Sequence, residues 1–227
     1  MIPIRDTIPS RRPAVIVRLL VVANLAIFAW ELGQGAAATN WVYRFGVVPS
    51  SWAMTRLWDV VEWPRLLATL VTSQFLHGGL LHVGFNMLYL WIFGDNVEDR
   101  LGRGRFLALY LGSGAAAGLA QLLMEPSSST PMIGASGAIA GVLGAYFLLF
   151  PFARITTLLP IFFVWEFIEV PAFVFLGFWF LLQWLQGMTT LGAVTHAGGG
   201  VAWWAHVGGF VTGFLLVLIV RPRRHQF

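Results

Sequence analysis

The stretch "WWAHVGGFVTGFLLVLIV", residues 203–220, decides how the rest of the chain is read. It is an uncharged run close to the length of about 20 residues that a helix needs to cross a bilayer, yet it carries a histidine near its head. His206, Gly209 and Gly213 follow spacings of three and four, so on a helix they share one face. The Gly-x-x-x-Gly seam allows a second helix to come close. The segment therefore reads as a membrane helix that packs tightly against a neighbour, with an imidazole held at that contact.

The remainder of the chain fits this solvent. Of 227 residues, 58% are hydrophobic and 11% charged, with a mean hydropathy of +0.76, against about 25% charged in an ordinary soluble domain. Six apolar windows can be read off, at residues 15–37, 78–94, 105–124, 136–152, 170–186 and 204–220. The expected fold is all-α: a single domain over residues 1–227, with six transmembrane helices in one bundle. The apolar interval 155–169 contains Pro160, Glu166 and Glu169. Laying it along the interface as the connection into the fifth helix avoids burying two carboxylates.

All fourteen cations are arginine, and the formal net charge is +4. Arg5, Arg11, Arg12 and Arg18, then Arg100, Arg103 and Arg105, then Arg154, and finally Arg221, Arg223 and Arg224 fall on one side if there are six spans. The excess of arginine in short connections predicts that both termini are cytoplasmic. The first loop, with Trp41, Trp52, Trp58 and Trp63, is expected to rest in the outer interface, where amphipathic rings are favoured. A rival reading takes the first apolar run and "GAAAT" at 35–39 as a signal peptide with its cleavage site. Retaining the run keeps every arginine cluster on the cytoplasmic side. Basic charge alone gives no warrant for nucleic acid as a partner, and the absence of cysteine removes disulfides and thiolate chemistry.

Polar side chains inside the spans carry the functional signal. Asn86 stands about 14 residues from Arg100, Ser136 about 15 from Pro151 and His206 about 15 from Arg221, each roughly 21 to 22 Å along its helix. In a hydrocarbon core about 30 Å thick, that puts all three some way below the outer surface, with His82 one turn higher. A lone serine among glycines in "MIGASGAIAG" (132–141) is ordinarily a packing residue; coincidence of depth with the His206 seam is what argues otherwise. Gly137, Gly141 and Gly144 give the Ser136 helix a smooth face for that seam. A serine becomes a nucleophile when a neutral imidazole takes its proton, and the resulting oxyanion needs donors. Asn86, His82 and the free amide at the head of the Ser136 helix are available. No carboxylate lies at this depth, so the arrangement is a Ser-His dyad without the acid of a triad. A metal site from His77, His82, His196 and His206 is disfavoured by their spacing, and there is no His-Glu-x-x-His.

Four stretches, "HGGLLHVGFN" (77–86), "EDRLGRGRF" (98–106), "GASG" (134–137) and "AHVGGFVTG" (205–213), resemble the rhomboid family of intramembrane serine proteases, with similarity from about Arg18 to Val220. The resemblance implies a rhomboid-like bundle with Ser136 as nucleophile and His206 as general base and acid. His82, Asn86 and the Ser136 amide would form the oxyanion site. It also implies no cofactor, a lipid bilayer setting, transmembrane protein substrates and an expected place in the bacterial plasma membrane. The aromatic face of the fifth helix, Phe173, Phe175, Phe178, Trp179 and Phe180, would border lipid as a substrate gate. Two positions depart from the family. Ala140 stands where some members have an aromatic residue beneath the histidine, which leaves the orientation of His206 without an evident source. Tyr43-Arg44 stands where some have a Trp-Arg pair. The competing functions are a non-catalytic rhomboid-like protein that binds membrane clients, and a transporter that would use Glu166 or Glu169 as a proton relay.

Overall fold

A computed structural model describes residues 2–56, 59–161, 164–191 and 200–220. A short N-terminal strand, β1 (Ile2–Asp6), precedes α1 (Val15–Gly33) and a single 3-10 turn, Gly35–Ala37. Three short helices follow in the first loop: α2 (Ala38–Phe45), α3 (Pro49–Met54) and α4 (Glu62–Thr72). The long helices α5 (Leu80–Leu101) and α6 (Arg103–Met124) come next, then α7 (Ser136–Leu149). A hairpin of β2 (Arg154–Ile161) and β3 (Val164–Pro171) leads into α8 (Ala172–Thr190), and α9 (Trp203–Ile219) closes the described chain.

Each of the six apolar windows is a helix: α1, α5, α6, α7, α8 and α9. By length and composition α1, α6 and α8 suffice to cross a membrane, and α4 with its following turn forms a further apolar pair with α5, bent by 84°. Helices α7 and α9 are apolar but shorter; the 14 residues of α7 rise roughly 21 Å, short of a hydrocarbon core about 30 Å thick.

The sequence expectation of an all-α fold is corrected by a three-stranded antiparallel sheet in the order β1, β2, β3. The interval 155–169, the expected connection into the fifth helix, forms the β2–β3 hairpin, with Arg154 opposite Pro171 and Thr157 opposite Ile168. Its β-branched and aromatic residues suit a pleated surface, and antiparallel pairing satisfies the backbone that a helix would otherwise have to satisfy. Glu166 and Glu169 are exposed on β3. Glu169, opposite Thr156, lies on the face away from Ile155 and Thr157, which are fully buried, whereas Glu166, opposite Leu159, shares their face nearer the hairpin tip.

Helix α7 is the centre of the bundle. Every residue from Gly137 to Tyr146 is buried, and α5, α6, α8 and α9 all pack on it. A helix apolar on all sides requires such a surround. The expected glycine seam is present but divided between two partners. A Cβ on Gly137 would strike Ala117, and one on Gly141 would strike Ser113, both on α6. A Cβ on Gly209 or Gly213 of α9 would run into the carbonyls of Gly137 and Gly141, and one on Gly144 into the Phe210 carbonyl. Thus α7 is wedged between α6 and α9 at backbone contact.

The other end of the bundle is tied by carboxylates. Helix α1 has no side-chain cap of its own; Glu98 of α5 reaches across and accepts from the N–H groups of Val15, Ile16 and Val17 at 2.9 to 3.0 Å. A carboxylate at three free amides of a helix start is favoured by both hydrogen bonding and the helix dipole. Asp99 accepts from the Arg11 N–H. Gly102, at φ +85°, joins α5 to α6 in a single residue. In the first loop Arg44 lies over the rings of Trp41 and Phe45, and Trp52 meets Trp63 edge to face. Trp58 and the arginines at 221, 223 and 224 lie outside the described residues.

Candidate active site

The two residues that could form a nucleophile and base come from the two helices in closest contact. Ser136 is the first residue of α7, and His206 lies in the first turn of α9. The His206 Nε2 is 2.9 Å from the Ser136 Oγ. Their separation of 70 residues along the chain is bridged by the Gly137 to Gly209 and Gly141 to Gly213 approaches described above. Histidine 206 is 9% exposed, and Ser136 is half-buried.

Both atoms border a cavity of about 620 Å³, which is also lined by His82, Asn86 and Gly134. His82 and Asn86 are four apart on α5 and share a face. The Nδ1 of His82 accepts the N–H of Gly78 at 3.3 Å, so its proton sits on Nε2, which is thereby a donor. That nitrogen lies beside Gly134, where a Cβ would be 2.6 Å away. Gly134 has φ +119° and its N–H is bonded to the Ser73 carbonyl. The Asn86 Nδ2 is buried and has no hydrogen-bond partner among the described residues. A buried donor without a partner is costly, and here it borders the space beside Ser136. The first-turn amides of α7 add further free donors at the same point.

The orientation of His206, for which the sequence offered no source, is supplied by α8. Its Nδ1 is 2.7 Å from the Oε1 of Gln183, a side chain only 8% exposed. The ring of Trp179 lies 5.8 Å away at 34°, and Trp203 stands edge-on at 6.2 Å. Ala140 is fully buried and contributes no ring. Gln183 and Trp179 are four apart, on one face of α8. The sequence signal for them is a glutamine four residues after a tryptophan, a spacing that the second glutamine of the helix, Gln186, does not have.

The expected aromatic face of α8 is only partly as read. Phe173 and Phe178 are exposed, but Phe175 is 2% exposed and stacks on Phe93, and Phe180 packs on Phe210. Phe175 therefore belongs to the core and not to a lipid-facing gate. His77 and His82 contact each other at 5.1 Å between ring centroids. Among the described residues no group of three or more His, Cys, Asp or Glu is arranged to hold a metal ion; His196 lies outside them.

Comparison with known proteins agrees with the motifs. A family model described as Rhomboid domain matches residues 64–223. The chain is 37% identical over 134 residues to the Rhomboid protease GluP of Bacillus subtilis, covering 59% of this chain and 24% of that protein. It is 32% identical over 178 residues to the mitochondrial Rhomboid protein 1 of Saccharomyces cerevisiae, covering 72% and 47%. Similarity extends to the Putative rhomboid protease YdcA of B. subtilis, 39% identical over 85 residues, or 37% of this chain and 40% of that one. The matched part is thus less than half the length of each of these relatives.

Proposed function

Because the chain belongs to the rhomboid family, an integral membrane family that includes both proteases and inactive rhomboid-like proteins, we propose that it is an active member: an intramembrane serine endopeptidase. The observation that carries this reading is the 2.9 Å contact of His206 Nε2 with Ser136 Oγ at the edge of a cavity. Inactive relatives need neither group, nor their alignment.

In the reaction, His206 Nε2 takes the hydroxyl proton as Ser136 Oγ attacks a peptide carbonyl. The oxyanion accepts hydrogen bonds from His82 Nε2–H, Asn86 Nδ2–H and the Ser136 amide, each worth about 10²- to 10³-fold in rate. Collapse expels the new amine, which receives its proton from His206. A water, deprotonated by the same imidazole, then attacks the acyl ester and releases the acid. Substrates are transmembrane proteins cut in or beside a helix near the outer face. Six spans with both termini cytoplasmic fit the arginine clusters, and the bacterial plasma membrane is the proposed location, supported by the two B. subtilis relatives.

Replacing Ser136 with Ala is expected to abolish cleavage of a reporter transmembrane helix in proteoliposomes and to remove covalent labelling by a fluorophosphonate. Cleavage that persists in that variant would falsify the protease reading and leave client binding as the alternative.

A further inference from the structure

Helix α8 carries one polar side chain on its buried face. The buried positions of that helix are Ala172, Phe175, Leu176, Gln183 and Gly187, a stripe of helical spacing in which Gln183 occupies a place suited to an apolar residue. An amide held there without a partner is destabilising. Its oxygen meets one partner, the Nδ1 of His206, at 2.7 Å.

The chemistry of that contact is directional. An amide oxygen accepts hydrogen bonds and has no proton to give, so Nδ1 must carry the hydrogen. The lone pair of the neutral imidazole is then on Nε2, the atom 2.9 Å from Ser136 Oγ. The opposite tautomer would present an N–H to the serine and could not take its proton. Trp179, one turn before Gln183, supplies a ring beside the same imidazole. Helix α8 therefore contributes both the acceptor and the aromatic support that α7, with Ala140, does not.

We propose that Gln183 is the positioning residue of the active site, fixing the tautomer and direction of His206 from α8, so that the working unit is Ser136, His206 and Gln183. The inference rests on the protease reading above. It has a structural corollary: the nucleophile, base and acceptor are on three different helices, α7, α9 and α8, and the base is correctly protonated only while α8 is docked.

The test uses the full chain in proteoliposomes, with kcat and KM for a reporter helix, fluorophosphonate labelling of Ser136 and thermal denaturation. Gln183→Leu keeps the volume and removes the acceptor. It should lower kcat about 100-fold with KM within about twofold, and slow labelling to the same degree. Gln183→Glu keeps an acceptor and adds charge that favours the imidazolium. It should retain activity while the acid limb of the pH profile moves up by about one unit or more. Gln183→Leu with wild-type kcat, or Gln183→Glu with an unmoved pH profile, overturns the proposal; the second result decides it even if the leucine variant fails to fold. A wild-type protein that neither cleaves nor labels removes the protease reading itself, whereas an active wild type with unaffected Gln183 variants removes only this assignment.

Discussion

Gly134 shows how little room surrounds the proposed oxyanion donors. Its φ of +119° is a conformation nearly closed to residues with a Cβ, and any Cβ there would press on the His82 ring. Gly134→Ala is expected to lower cleavage by about 10²-fold or more with the helical circular dichroism unchanged; full activity would remove His82 from the oxyanion site. On the proposed mechanism, Asn86→Ala removes a donor that acts only on charge formed in the transition state. Its loss should therefore fall equally on kcat and kcat/KM, and a rise in KM alone would reassign Asn86 to substrate binding. The proposed site residues Ser136, His206, His82 and Asn86 stand out in the sequence itself, because their motifs and their common depth agree. Gln183 does not. "LLQWLQG" offers two glutamines three apart, and the spacing from Trp179 separates them, but the packing angle of α8 is what puts Gln183 against the imidazole.

The Ser136 to His206 contact depends on how closely α7 and α9 approach, and that approach can be tested independently of the chemistry. A Cβ at Gly213 would enter the Gly141 carbonyl, whereas one at Gly112 of α6 would meet nothing within 4 Å. Gly213→Ala should thus force the helices apart, lowering stability by at least about 1 to 3 kcal/mol and opening the Ser136 to His206 contact. Gly112→Ala should be neutral or stabilising by up to about 1 kcal/mol. Thermal denaturation in detergent compares them; equal effects would mean that the seam is not close-packed. The helices were legible from apolar windows and glycine spacing. The hairpin is not evident from the interval 155–169, because two carboxylates in an apolar run argue only against a buried span, and pairing offers another solution in which β3 leaves both exposed. Its third strand comes from the far N-terminus, with Ile2 opposite Leu158, a pairing that no local pattern announces. Likewise "EDRLGRGRF" gives Glu98 no evident role by itself, because its partners are the amides that open α1, more than 80 residues away.

That N-terminal strand ties the sheet to the bundle through one carboxylate. Asp6 accepts from the Tyr146 hydroxyl of α7 at 2.6 Å and from the Asn96 amide of α5 at 2.8 Å, both on Oδ2, so β1, α5 and α7 meet on one oxygen. Burial nevertheless pushes the Asp6 carboxyl above its ordinary range, with the bonds from Tyr146 and Asn96 opposing the shift. A raised value means that the folded chain holds this proton more tightly than the unfolded chain. By linkage, the contribution of Asp6 to stability is greatest at or below the ordinary carboxylate value of about 4 and declines as pH rises through the shifted one. Asp6→Asn keeps an acceptor for Tyr146 or Asn96 but cannot ionise. The difference in melting temperature between variant and wild type should therefore move in favour of the variant as pH increases from about 4 to neutrality, whatever its starting offset, since other titrations largely cancel in the difference. A difference that is flat, or that moves in favour of the wild type, would show that the ionised Asp6 is the form the fold prefers, and that its bonds to α5 and α7 outweigh its burial.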